Sequence, residues 1–188
     1  SEESREVFVV NSLVFDIVRL MRAELQSQEV ALKLNLDSRE HQVLVDRILI
    51  QQVLMNLIQN SIEAMATVDP DSRVLTISTD LSEEQVRVLV SDSGTGVPNE
   101  IGERVFESFF TSKPNGMGLG LGISRSIVEG HGGTLNLTPD GNAFCISLPV
   151  HRNTPPGPHF AMDSKQQSES TAKESATTSQ DRPASGPG

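Results

Sequence analysis

Residues 116–122 read Gly116-Met117-Gly118-Leu119-Gly120-Leu121-Gly122, a glycine at every second position, and from Leu121 the chain takes up a helical pattern that runs to about Glu129. Glycines spaced in this way expose backbone N–H groups at the end of a helix that carries partial positive charge, which is where phosphate is bound. The spacing is neither G-x-G-x-x-G after a strand nor G-x-x-x-x-G-K-[ST]. It therefore excludes the dinucleotide-binding fold and the P-loop fold, and a nucleotide here needs another cradle. Just upstream, Phe106-Glu107-Ser108-Phe109-Phe110-Thr111-Ser112-Lys113 places a mobile cation, Lys113, beside the loop, and Pro114 and Asn115 follow with few anchors. These features predict a lid over residues 111–120, mobile without nucleotide and ordered with it; taken alone, the segment also fits a lid with no ligand.

Outward from this loop, residues 74–79 and 86–90 alternate as two strands joined through Ser82-Glu83-Glu84. The second runs into Asp92-Ser93-Gly94-Thr95-Gly96-Val97. Glycine lets the backbone turn sharply and approach a ligand, and an aspartate ending an apolar strand is placed to accept a hydrogen bond from an exocyclic amine. An ordinary glycine-rich turn is the alternative reading. Before these strands, Asp46 stands in the N-cap position of a helix whose stripe is Ile50, Val53, Leu54, Leu57, Ile58, Ile62 and Met65. On the opposite side Asn56, Asn60 and Glu63 project together. Asparagine is a poor helix former, and its amide oxygen is a hard ligand suited to Mg²⁺; the alternative is a solvated polar face.

The flanks complete the pattern. Residues 7–10 form a short strand leading into a helix expected to be capped at Asn11 or Ser12 and to reach Gln28, and residues 30–36 and 43–45 are strands. After the glycine loop, the helix over 121–129 is stopped by Gly130 and Gly132-Gly133. Residues 134–137 and 143–148 then close as strands about an Asp140-Gly141-Asn142 turn. This order predicts an α+β two-layer sandwich: a mixed, mainly antiparallel sheet covered by helices on one face.

Residues 1–150 carry 11 basic and 21 acidic side chains and residues 151–188 carry four of each, so the net charge of −10 belongs to the first 150 residues. Such an acidic domain repels a phosphate backbone, and no nucleic-acid partner is expected. Residues 151–188 are rich in Ser, Thr, Pro and Gln and too poor in apolar residues to offset ordering entropy; they read as a disordered tail behind a domain at 1–150. The lone Cys145 forms no internal disulfide, suits a reducing cytoplasm, and reads as a small buried hydrophobe rather than a nucleophile. No apolar run is long enough to span a membrane.

With its motifs in this order, the chain over about residues 5–150 resembles the ATP-binding catalytic domain of sensor histidine kinases, within the gyrase, Hsp90, histidine-kinase and MutL superfamily. Asn56-Leu57-Ile58-Gln59-Asn60-Ser61-Ile62-Glu63-Ala64-Met65 is similar to the N box, residues 92–96 to the first glycine box, residues 106–113 to the F box and residues 116–122 to the second glycine box. The resemblance implies a Bergerat-type ATP-binding fold with ATP and Mg²⁺ as ligands. It implies that Asn60 holds the Mg²⁺ with Asn56 beside it, that Asp92 binds the adenine amino group, and that Gly94 and Gly96 let the ring approach. Gly116, Gly118, Gly120 and Gly122 would close over the triphosphate, and Lys113 would assist phosphoryl transfer. The F-box version is similar to that of the nitrogen- and oxygen-sensing group of these kinases.

Two departures qualify the implied function. Glu63 stands where some of these kinases carry a basic residue, and the phosphoacceptor box, a His-Glu followed by Arg or Lys and Pro, is absent. His41, His131, His151 and His159 are expected at the surface, and none has an acceptor context. The implied activity is therefore transfer of the ATP γ-phosphoryl group to a histidine on a dimerising helical hairpin upstream of Ser1, then relay to a response-regulator aspartate. The full-length protein would be a homodimer, with any membrane anchor also upstream. Superfamily ATPases place a glutamate four residues before the metal-binding asparagine; Asn56 stands there and cannot take a proton, which disfavours water as acceptor. The alternatives are an anti-sigma-factor-type serine kinase, which tends to keep that glutamate, and a module that senses ATP without phosphorylating anything.

Overall fold

The computed structural model describes residues 4–98, 100–107 and 118–152. The elements run β1 Glu6–Val9, α1 Val10–Ser27, β2 Ala31–Leu36, β3 Gln42–Val45, α2 Arg47–Ala64, β4 Val74–Ser82, β5 Gln85–Asp92, α3 Gly120–Gly130, β6 Thr134–Leu137 and β7 Ala143–Pro149, with short 3₁₀ turns at Pro70–Ser72 and Gly102–Phe106. A five-stranded sheet has the order β2-β4-β5-β7-β6, with β2 parallel to β4 and every other pair antiparallel. The predicted sandwich is present, with one addition that the hydrophobic pattern does not indicate: β1 and β3 pair antiparallel as a separate two-stranded sheet.

All seven aliphatic positions read from the α2 stripe are buried, and they pack with Leu13, Val14 and Ile17 of α1 and with Leu75, Ile77, Val88, Val90 and Ile146 of the sheet in one core. Burying such side chains is the main favourable term for a domain of this size. Asp46 caps α2 as expected, its Oδ1 accepting from the amides of Ile48 at 3.0 Å and Leu49 at 3.2 Å. The Ser4 hydroxyl, followed by those amides, holds the Asp46 carboxyl below its ordinary pKa.

The cap of α1 is a correction. The helix begins at Val10 with Val9 in the N-cap position and no side-chain cap, because the Val10 amide donates to the His41 carbonyl at 2.9 Å. Asn11 is thereby released for tertiary contacts: its amide donates to Asp37 O at 2.8 Å, and its Oδ1 accepts from Thr79 Oγ1 at 2.9 Å.

The histidines are a second correction. His41 is only 10 % exposed in its side chain and faces Asp37 at 2.9 Å. Hydrogen bonds from Arg39, then from His41, hold the Asp37 carboxyl well below the usual carboxylate range. His131 is buried: Nδ1–H donates to Ile127 O at 2.7 Å while Nε2 accepts from the Asp46 amide at 3.0 Å, so the ring bridges the end of α3 and the start of α2. His151 is half-buried, its amide donating to Gln42 O at 2.6 Å. His159 and the rest of the expected tail, 153–188, lie outside the described residues.

Cys145 is half-buried rather than fully buried, and burial pushes its thiol up. Among the described residues no helix is long and apolar enough to cross a membrane.

The β4–β5 turn carries a testable weakness. Glu83 and Glu84 have φ of 54° and 72°, the left-handed pair that a two-residue hairpin requires and that favours Asn-Gly over two glutamates. Glu84 also pairs with Arg152 at 2.6 Å, but both side chains are mostly exposed and the pair contributes little. The double change Glu83→Asn, Glu84→Gly is expected to stabilise the fold by about 1 kcal/mol and to raise the calorimetric melting temperature by about 3 °C.

Candidate nucleotide site

The three motifs meet at the C-terminal half of α2. Asn56 is half-buried there, and its amide donates to Ser124 Oγ of α3 at 3.0 Å. Gly120, the first residue of α3, lies so close that a Cβ would stand 2.5 Å from Asn56 Oδ1. The second glycine box is thus pressed against the first N-box asparagine, and any larger residue at Gly120 would have to displace the Asn56 amide from Ser124. Asn60 is half-buried one turn later, and Glu63 is exposed with Gln59 Nε2 at 3.4 Å from its Oε1. Gly118, at φ 64°, and Gly122, which faces the Phe106 carbonyl, flank this contact.

The first glycine box closes on the same end of the helix. Asp92 terminates β5, and its Oδ1 accepts from the Gly94 amide at 2.9 Å, leaving Oδ2 without a partner among the described residues. A Cβ at Gly94 would meet Asp92 Oδ1 at 2.7 Å and the Ala64 carbonyl at 2.8 Å. Ser93 anchors the turn, its Oγ donating to Ser72 O at 2.7 Å, accepting from the Val74 amide at 2.9 Å and touching Met65 Sδ at 3.4 Å. Beyond it, the Val97 amide donates to Gly141 O at 2.9 Å, so the loop rests on the β6–β7 turn.

Several supporting residues have no signal in the motifs. Arg125 places its guanidinium 3.5 Å from the centroid of the Phe106 ring, donates to Leu135 O at 3.0 Å and pairs with Glu103 at 2.6 Å. Phe106 meets Phe144 edge-on, centroids 6.0 Å apart. The start of the F box is therefore fixed between helix and sheet. Ser124 is legible in retrospect, lying four residues after Gly120 and so on the same face of α3. Lys113 and Gly116, together with most of the F box and of the expected lid over 111–120, lie outside the described residues.

A cavity of about 380 Å³ between α1, α2 and α3 is lined in part by Asn56, Gln59, Gly120 and Ser124. A larger one, about 440 Å³, is lined by Arg5, Asp46, Gly122 and His131 and includes neither Asn56 nor Asp92. Among the described residues no group of three or more His, Cys, Asp or Glu could hold a metal by itself. An ion shared with bound phosphates would need few protein donors, and a side-chain amide oxygen, such as Asn60 carries, is of a type that hard cations accept.

Comparison with known proteins agrees with this geometry. Residues 45–152 match the family model described as histidine kinase-, DNA gyrase B-, and HSP90-like ATPase. The chain is 38 % identical over 146 residues to the sensor protein TdiS of Thauera aromatica, covering 75 % of this chain and 27 % of that one. It is 38 % identical over 152 residues to the sensor protein FixL of Bradyrhizobium diazoefficiens, covering 79 % and 30 %. The chain thus spans less than a third of the length of these relatives. The solved catalytic domain of histidine kinase ThkA is similar at a TM-score of 0.68 and 33 % identity, covering 77 % of this chain and 95 % of that one. ThkA in complex with the response regulator protein TrrA matches at 0.66 and 31 %, covering 78 % and 42 %.

Proposed function

The chain belongs to the histidine kinase-, DNA gyrase B- and HSP90-like ATPase family, and from that premise we propose that it is the ATP-binding catalytic part of a two-component sensor histidine kinase. It transfers the γ-phosphoryl group of ATP to a histidine on a dimerisation hairpin outside this sequence, for relay to a response-regulator aspartate. The observation that carries the reading is that both glycine boxes close on α2, Gly120 against Asn56 and Gly94, beside Asp92, against the Ala64 carbonyl, with Asn60 between these contacts on the same helix. The likeness to ThkA, which has been solved with a response regulator, supports the partner class, and a homodimeric full-length protein belongs to the same proposal.

Each residue has a distinct task. Asp92, oriented by the Gly94 amide, accepts from the adenine amino group, and Gly96 keeps the floor of the base site thin. Asn60 would hold Mg²⁺, which when bound neutralises phosphate charge. Gly116, Gly118, Gly120 and Gly122 offer backbone amides to the phosphates, and Lys113 adds a cation beside them. Asn56 is braced by Ser124 and has no proton-accepting group, which favours transfer to an imidazole over activation of water. The unpaired Cys145 and the dependence on ATP fit a cytoplasmic domain, and residues 153–188 are proposed as a tail separate from it.

The test uses the whole 188-residue chain with Mg²⁺ and radiolabelled ATP. Alone, it is expected to gain no acid-labile, base-stable phosphate, because His41 and His131 are engaged in internal hydrogen bonds. Adding a phosphoacceptor hairpin from its own full-length protein should produce label on the hairpin, slowly, since an untethered domain lacks the effective concentration a linker supplies. ATP binding without transfer at high hairpin concentration would favour the sensing module.

A further inference from the structure

Arg125 is a cation whose side chain is only 24 % exposed, and its contacts are divided among three elements. Its guanidinium lies 3.5 Å from the centroid of the Phe106 ring, its Nε donates to Leu135 O of the edge strand β6 at 3.0 Å, and its Nη2 meets Glu103 at 2.6 Å. The Glu103 side chain is 65 % exposed, so that ion pair holds little by itself. The contact with Phe106 is different, because Phe106 is buried and a guanidinium stacked on an aromatic face away from water is held by the ring quadrupole.

α3 holds Phe106 at two points. Arg125 stands three residues after Gly122 and so on the same side of the helix. Gly122 faces the Phe106 carbonyl, where a Cβ would stand 3.0 Å from the oxygen, and Arg125 covers the ring of the same residue. Phe144 meets that ring edge-on from the sheet. The start of the F box therefore shifts only together with the second glycine box. α3 itself begins at Gly120 behind Leu119, which supplies no side-chain cap, so contacts from other elements fix where its first amides lie. One such contact joins Ser124 to Asn56 of α2, and the other joins Gly122 and Arg125 to Phe106. The turn after β5 is held separately: Gly94 lies against Asp92 and the Ala64 carbonyl.

We propose that Arg125 is a positioning residue for phosphoryl transfer: stacked on Phe106, it keeps the start of the F box against Gly122 and so sets where the second glycine box presents its amides to the phosphate chain. The assignment rests on the ATP-binding reading given above. It separates two ends of the site, since a change at Arg125 moves the phosphate end and leaves the turn after β5 in place.

The experiment measures, by calorimetry on the full chain with Mg²⁺ present, the affinities for a nonhydrolysable ATP analogue and for AMP. Wild type is compared with Arg125→Lys, which keeps the charge beside Glu103 but loses the flat stack, with Phe106→Leu, which removes the ring, and with the double variant. Each single change is expected to weaken the ATP analogue by about five- to tenfold while AMP binding is unchanged. The double variant should bind the analogue no more weakly than the weaker single one, because both changes break the same contact. A merely structural role would weaken both ligands alike. An equal loss for the two ligands, no loss for the analogue, or losses that multiply in the double variant overturns the proposal and leaves the ATP-binding reading intact. Absence of binding of the ATP analogue to wild type overturns both.

Discussion

Asp92→Asn is expected to weaken nucleotide binding by about 2 kcal/mol, roughly 30-fold, although the two side chains are nearly isosteric. The Gly94 amide donates to Asp92 Oδ1 at 2.9 Å, so an asparagine at this position is compelled to turn its carbonyl oxygen toward Gly94. Its NH₂ then points where the carboxylate Oδ2 had been. A donor faces the donating amine of the base, and the contact changes from a charge-assisted hydrogen bond to an unsatisfied pair. Because the Gly94 contact survives, the fold should be unaffected and the melting temperature without nucleotide unchanged. Titration with a nonhydrolysable ATP analogue checks this, and a loss smaller than about threefold would mean that Asp92 does not receive the base amine.

Leu57→Ala is expected to cost about 3 kcal/mol of folding stability. Leu57 is fully buried in the α2 stripe, in the core shared by α1 and the sheet, so truncation leaves a cavity that rigid neighbours cannot fill. The melting temperature should fall by about 6 to 12 °C. Urea unfolding should show a lower midpoint at unchanged slope, since the change removes packing without altering the surface exposed on unfolding. A loss below about 1 kcal/mol would show that this part of the core collapses around the gap.

The two predictions draw on features of different legibility. Leu57 and its stripe could be read directly, because helical periodicity is a local property and all seven positions are buried. Asp46 was equally clear, since a cap is satisfied by amides two and three residues away. The cap of α1 was not, because its work is done by a carbonyl from residue 41, and no local pattern announces that Asn11 will be drawn to Asp37 and Thr79. His131 failed to stand out for the same reason: its partner Asp46 is 85 positions away. At the site, the motif residues were legible by type and spacing, but their braces were not. Arg125 over Phe106 and the Gly141 carbonyl under Val97 depend on which strands become neighbours, and strand order is decided by the whole core.

That strand order also sets the sequence in which the molecule can assemble. β4–β5 and β6–β7 are hairpins joined by short turns, and they can close on the microsecond scale by local search alone. β2 reaches β4 only in parallel, across a connection that contains α2, and β5 reaches β7 only after the chain has travelled out through α3 and back. These distant closures carry the loop entropy and set the pace of folding. The glycine-bearing segments around 94–97 and 118–122 lie inside the last of these excursions, between β5 and β6. They are spectators while the sheet is being zipped together. Their flexibility therefore slows no early step, and evolution can retune ligand chemistry in that excursion without rewriting the route by which the rest of the chain finds its fold.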